Sequence, residues 1–152
     1  MGAHMKWILL VVGIAVAFPT VAQNTSKYIL SNTPQQLVFL DNYPTGGQRT
    51  VVFSYYEVYP QFRDYLFVSI IRADCQTPNR LQTTQTSAAH IRYGIGKDIP
   101  PLSAEDRMWK VFAVGTVESY AWSAVCFPQR RNPQKIWKGS SSELLQAYQN
   151  RT

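Results

Sequence analysis

The sequence is poor in cysteine and histidine, the residues that most often hold transition metals or carry redox chemistry. Its 152 residues contain two of each. Cys75 and Cys126 stand far apart in the chain, neither belongs to a CxxC pair, and no histidine is near either. The chain therefore lacks the ligand spacing of zinc sites and the dithiol spacing of redox proteins. We therefore expect no bound metal and no cofactor.

The common catalytic and phosphate-binding signatures are also missing. Residues 93–98 read YGIGKD, but a phosphate loop requires a different spacing and a Ser or Thr after the lysine. Glu105 and Asp106 are adjacent in a polar stretch, which is typical of a solvated surface. We expect a protein that is not an enzyme and has no catalytic residues. A hydrolase or lyase of the envelope that combines His90 with Glu105 and Asp106 is the rival class.

No apolar run reaches the roughly 20 residues that a membrane-spanning helix requires. The longest run, residues 7–18, follows a lysine and precedes the small residues Thr20 and Ala22. This three-part arrangement predicts a secretory signal peptide over residues 5–22, with residues 1–4 as an expression scar. The mature chain is then expected to be exported to the periplasm, the outer membrane or the cell surface.

Export changes how the two cysteines are interpreted. In an oxidising compartment, an isolated pair in a secreted chain most simply forms a disulfide. A bridge between Cys75 and Cys126 closes a loop of about 50 residues and should stabilise the fold by about 4 kcal/mol. That is a large share of the roughly 5–15 kcal/mol by which a domain is usually stable.

Acidic residues are scarce at the C-terminus. The chain has 15 basic and 9 acidic residues and a formal net charge of +6. Most of the excess lies in residues 127–152, which hold five basic side chains and a single acidic one, whereas residues 23–126 are almost neutral. Because residues 23–126 are almost neutral, they do not form the basic surface that binds a polyanion. Nucleic acid is therefore not an expected partner.

The basic C-terminal segment is a candidate contact element for an anionic lipid, glycan or protein surface. The candidate partner-binding residues are Arg130, Arg131, Lys135, Trp137 and Lys138. Two alternatives stay open. The segment could be a solvated tail, or residues 136–138 and 143–148 could fold back and complete the core.

The body is rich in strand patterns. Residues 27–31, 35–41, 49–60, 64–75 and 80–93 are predicted strands, and the short connections between them favour an antiparallel meander. The stretch that follows, 94–107, is predicted as a loop, and residues 108–114 are either a last short strand or the lead into a helix. Thr116 is a predicted cap for a helix that ends at Cys126. Ser140 and Glu143 have the spacing of a capping box, which predicts a last short helix.

The central strands are apolar on both faces. On the third strand, Val51, Phe53, Tyr55 and Glu57 share one face. Val52, Ser54, Tyr56 and Val58 share the other. One helix covers only one face of such a sheet, so the other face requires a protein partner, a second copy of the chain or the C-terminal segment.

The layout resembles that of the surface-adhesin protein E family, a group of exported Gram-negative proteins. The resemblance covers residues 26–126 and consists of short strands KYIL and LVFLD, the long strand VVFSYYEV and a strand ending in cysteine, YLFVSIIRADC. A polar strand, a Pro-containing loop, Trp109 in MWKVF and the helix GTVESYAWSAVC complete it.

The resemblance implies an α+β fold, an antiparallel β-sheet meander with a C-terminal helix packed on one face and a bond between Cys75 and Cys126. In this interpretation residues 23–126 form the domain, and residues 127–152 are a basic extension. The best-known member of the family binds host matrix and serum proteins. We therefore expect a non-enzymatic exported binding or adhesion module with a protein partner in the host matrix or the envelope. A subunit or accessory factor of an envelope secretion system is the alternative.

Overall fold

The computed structural model of the protein describes residues 26–41, 49–93 and 95–151. The predicted expression scar and signal peptide, residues 1–22, lie outside the described residues. So do most of the turn between the second and third strands and a single glycine in the predicted loop.

Five long strands form an antiparallel meander in which each strand pairs with the next one along the chain. They are β1 (Lys27–Thr33), β2 (Gln36–Asp41), β3 (Thr50–Val58), β4 (Tyr65–Asp74) and β5 (Arg80–His90). Each corresponds to one of the five predicted strands. Runs of β-branched and aromatic residues bounded by turn residues therefore identified the main elements correctly.

Three two-residue strands extend the sheet at its edges. They are β6 (Gly96–Lys97), β7 (Lys110–Val111) and β8 (Ile136–Trp137). β6 and β7 pair with opposite ends of β5, and β8 pairs with β1. The stretch predicted as a loop thus includes the short strand β6, which is too short to show a periodic pattern.

The first helix, α1 (Val117–Cys126), lies on one face of the sheet. The Thr116 hydroxyl caps it by accepting a hydrogen bond from the Ser119 backbone N–H at 3.2 Å. Cys126, its last residue, is bonded to Cys75 directly after β4, with the two Cα atoms 5.3 Å apart. The indole N–H of Trp122 donates to the Asp74 carbonyl oxygen at 2.8 Å. The predicted α+β fold with its disulfide is confirmed.

The second helix, α2 (Ser141–Gln149), packs on the opposite face of the sheet. It begins with the predicted capping box. The Glu143 backbone N–H donates to the Ser140 hydroxyl at 3.2 Å, and the Ser140 backbone N–H donates to the Glu143 carboxylate at 2.7 Å. The hydrogen bonds that the Ser140 backbone N–H and the Ser140 hydroxyl donate to the Glu143 carboxylate lower the pKa of this carboxyl. Of the alternatives open for the C-terminal segment, completion of the core is the one that the structure shows.

The sheet therefore separates two buried clusters. The cluster on the α1 side consists of 14 buried residues, among them Phe53, Val51 and Trp122. The cluster on the α2 side consists of six: Leu37, Phe39, Val58, Leu144, Leu145 and Tyr148. The two faces predicted for β3 fall on these two sides as expected, so residues of one central strand contribute to both clusters.

The outer edge of β5 is covered for most of its length. β7 pairs with Arg80 and Leu81 at one end, and β6 pairs with Ala88 and Ala89 at the other. Between them runs the segment 99–107, where the Gln82 side-chain amide donates to the Arg107 carbonyl oxygen at 2.7 Å. No helix within the described residues is long and apolar enough to cross a membrane.

Candidate functional site

A groove opens on the α1 side of the sheet, at the end of β4 away from the disulfide. Its volume is about 340 Å³. The lining includes Glu57, Tyr59, Phe67, Ser69, Thr86 and Pro100. Strand pairing assembles this set, because Glu57 lies opposite Phe67, and Ser69 lies opposite Thr86. Pro100 closes one side from the segment that covers the edge of β5.

Glu57 is the acidic residue of the groove, and it is half-buried. Its Oε1 atom accepts a hydrogen bond from the Tyr59 hydroxyl at 2.5 Å and one from the Gln36 side-chain amide at 3.3 Å. Burial raises the pKa of the Glu57 carboxyl, the hydrogen bond from Tyr59 opposes that shift, and the nearby Glu118 adds to it. The groove therefore contains a carboxyl group that is held in place yet poorly solvated.

The groove also has an aromatic wall. The rings of Tyr59 and Phe67 meet edge to face, with centroids 5.8 Å apart, and Phe62 continues the series at 5.9 Å from Phe67. At the outer end of this series, the Lys97 ammonium lies 4.6 Å from the ring centroids of both Phe62 and Tyr65. These aromatic faces are thus able to receive a cation.

Two tyrosines beside Glu57 stay protonated at pH values well above the usual pKa of a tyrosine hydroxyl. Burial raises the pKa of Tyr55, and the charge of Glu57 adds to the shift. Burial and the hydrogen bond to Glu57 also raise the pKa of Tyr59. The Tyr59 hydroxyl is therefore a hydrogen-bond donor to Glu57 over the whole physiological pH range.

The residues named for the rival hydrolase are not brought together. His90 is at the end of β5, in a hollow of about 190 Å³ whose lining includes Arg63, Asp64 and Gln149. Asp106 instead forms an ion pair with Lys110 at 3.2 Å, next to the start of β5. The two sites are separated by the length of β5, an 11-residue strand that spans roughly 35 Å.

The five predicted partner-binding residues do not form one surface patch. The Arg131 Nε donates to the Ala124 carbonyl oxygen at 2.6 Å in the last turn of α1, and the Arg130 guanidinium lies 4.6 Å from the Phe127 ring centroid. Trp137 lies in β8 and packs against the cluster on the α2 side.

The remaining two residues are exposed. The Lys135 ammonium is 5.8 Å from the Tyr120 ring centroid, while Lys138 follows β8 directly. At least three of the five therefore have structural contacts within the chain. Their role in binding a partner stays a prediction.

The sequence patterns did not identify the groove as a site. One signal was available, because Glu57 ends a face of β3 that is otherwise apolar and aromatic. Among the described residues, no group of three or more His, Cys, Asp or Glu side chains is placed to hold a metal ion.

Comparisons with family models, with curated proteins and with solved structures find no match to this chain. The resemblance to the surface-adhesin protein E family therefore depends on the order of strands, helix and cysteines alone, and membership stays a prediction.

Proposed function

We propose that the protein is a non-enzymatic, exported binding module of the bacterial envelope, and that the groove beside Glu57 is its ligand-contacting site. The observation that carries this proposal is the composition of the groove. Aromatic rings, hydroxyl groups and one ordered carboxyl group line a concave surface of about 340 Å³. Binding sites for ligands combine apolar and aromatic walls with a few placed polar groups in this way.

The setting of the module is part of the proposal. The signal-peptide pattern in residues 5–22 favours export, and disulfides form and persist in oxidising compartments. The resemblance to surface-adhesin protein E suggests partners in the host matrix, with envelope proteins as the other source. An accessory role in a secretion system uses the same kind of surface and differs only in the partner.

The experiment compares two variants of the mature, oxidised protein. Thr86→Trp places a large ring in the groove. Gln85→Trp places the same ring at the neighbouring position of β5, where the side chain points to the other face of the sheet. Both variants and the parent are immobilised and exposed to matrix proteins and to envelope extract, and captured proteins are identified by mass spectrometry.

The proposal expects a partner that the parent and Gln85→Trp retain and that Thr86→Trp loses by at least tenfold. Equal capture by all three proteins would show that the groove is not the contact site. Circular dichroism and thermal unfolding of each variant establish that the comparison is made between folded proteins.

A further inference from the structure

We propose that the groove binds the cationic side chain of an arginine or lysine in a partner polypeptide, with Glu57 as its counter-ion and the Tyr59 and Phe67 rings as its walls. This inference rests on the proposed function and names the chemistry of the ligand.

Glu57 forms no ion pair with another described residue. Both of its hydrogen bonds end on Oε1, and both donors, Tyr59 and Gln36, are neutral. The three ion pairs among the described residues all lie elsewhere. Buried and half-buried charges in proteins are normally paired. A carboxylate with one oxygen oriented by neutral donors and the other available is therefore suited to a cation that arrives with the ligand.

The aromatic wall of the groove is also suited to a cation. A cation is attracted to the face of an aromatic ring within about 6 Å of its centroid. Lys97 already occupies such a position over Phe62 and Tyr65, at 4.6 Å from each ring centroid. Phe67 and Tyr59 continue the same series of rings toward Glu57. The chain thus shows, at the outer end of the series, the kind of contact that we infer at its inner end.

The charge and the size of the groove also fit a cationic side chain. The protein is basic, with a formal net charge of +6, yet Glu118 is close enough to Glu57 to disfavour its ionised form. A cation beside Glu57 offsets that repulsion, whereas an anion increases it. A volume of about 340 Å³ is at the low end of the roughly 300–1,000 Å³ typical of ligand pockets. It suits one long side chain rather than a folded element.

The test is a titration of the isotopically labelled mature protein, followed by backbone amide NMR. The probes are N-acetyl-arginine amide and the tripeptide Gly-Arg-Gly with blocked ends, each matched by its citrulline counterpart, which has the same shape but no charge. Putrescine serves as a free amine. We expect shifts at β3, β4 and β5 around Glu57, Phe67 and Thr86, with at least tenfold weaker binding of the citrulline probes.

Three variants locate the effect. Glu57→Gln should weaken binding of the arginine probes at least tenfold, and Glu105→Gln, an exposed acid in a loop near the other end of β5, should leave it unchanged. If Glu57→Gln does not fold, Phe67→Leu is the second variant. It removes an aromatic face from the groove and should reduce the preference for arginine over citrulline.

Several outcomes would overturn the inference. Equal affinity for arginine and citrulline probes would show that charge is not recognised. Shifts with putrescine but not with the blocked tripeptide would assign the site to free amines instead of polypeptides. If no probe binds while Thr86→Trp still abolishes partner capture, the cationic ligand is wrong and the proposed function stands. If Thr86→Trp captures partners normally, the proposed function fails instead.

Discussion

The two faces of the sheet are stabilised in different ways. On the α1 side, 14 buried residues form the cluster and a disulfide ties the helix to the sheet. On the α2 side, six buried residues form the cluster, and α2 is held by its packing and its capping box. The groove lies on the side with the cross-link. A binding site needs side chains held in one geometry, and the larger, covalently tied face provides that support.

The α2 side also covers less of the sheet. Leu144, Leu145 and Tyr148 pack over β2 and the end of β3, whereas Val52, on the same face of β3, is 53% exposed. The sequence requires a cover for the second face, and the C-terminal helix supplies it for only part of that face. We therefore expect the two sides to differ in how they respond to mutation.

The largest effect should come from removing the cross-link. In the double variant Cys75→Ala/Cys126→Ala, the free energy of unfolding should fall by about 4 kcal/mol, because the unfolded chain gains the entropy of an open loop. Urea denaturation followed by tryptophan fluorescence measures the change. The parent protein in reductant should behave like the variant, and a loss below about 1 kcal/mol would contradict this role for the bridge.

The next effect separates the two faces. Leu145→Ala removes a buried side chain of α2 and should cost about 3 kcal/mol. Because no covalent bond holds α2, its amides should exchange with solvent faster while those of α1 stay protected. Hydrogen exchange measured by mass spectrometry tests this difference. Gln146→Ala, an exposed neighbour, is the control, and equal acceleration in both helices would show that the faces unfold as one unit.

The helix caps allow a matched comparison. Thr116→Ala and Ser140→Ala each remove one hydroxyl that caps a helix, and each should cost about 1 kcal/mol. Faster amide exchange at the start of the capped helix is expected only for Ser140→Ala. The disulfide at Cys126 holds α1 on the sheet, whereas no such bond holds α2. Thermal unfolding and hydrogen exchange give the two measurements. Ser141→Ala, at the first residue of α2, is the control and should be close to neutral.

The smallest effect is expected at the groove and depends on pH. Burial raises the pKa of Glu57 above its ordinary value of 4.5, so the folded protein binds this proton more tightly than the unfolded chain. Stability from this group is therefore present below pH 4.5 and is lost as the pH rises through the raised pKa.

In Glu57→Gln that loss should disappear. The variant should be at least as stable as the parent at pH 7, and its advantage should shrink as the pH is lowered toward 4. Thermal melts at several pH values measure the trend. A variant that is clearly less stable at pH 7 would indicate that Glu57 has a structural role, and the contrast with the caps would be lost.

The main elements were predictable because their signals are local. Runs of β-branched and aromatic residues between turns identify the strands. Thr116 and the pair Ser140 and Glu143 mark the starts of the helices. The two-residue strands are too short to carry a periodic signal, and β7 and β8 also depend on partner strands far away in the chain. The sequence also left open whether the C-terminal segment, a partner or a second copy covers the face opposite α1. That cover is set by how Leu144, Leu145 and Tyr148 match the β2–β3 surface.

The groove could not be predicted from the sequence, because residues far apart in the chain form its lining. Its lining comes from β3, β4, β5 and the segment that follows β6, and only strand register brings Glu57 beside Phe67 and Thr86. The basic residues of the C-terminal segment were predicted to bind a partner because they lie close together in the chain. The structure distributes them instead, with Arg131 at the end of α1 and Trp137 on the α2 side.

The segment that follows β6 has a consequence for how this protein can diversify. Pro100 lines the groove, and together with Pro101 it faces the middle of β5, the part of the edge left unpaired by β6 and β7. An uncovered edge strand invites another chain to add to the sheet, and proline opposes such addition because it lacks a backbone donor. Changes here that alter ligand preference therefore also risk aggregation. Variation in specificity should accumulate on β4 and β5, at positions such as Ser69 and Thr86, before it reaches the prolines.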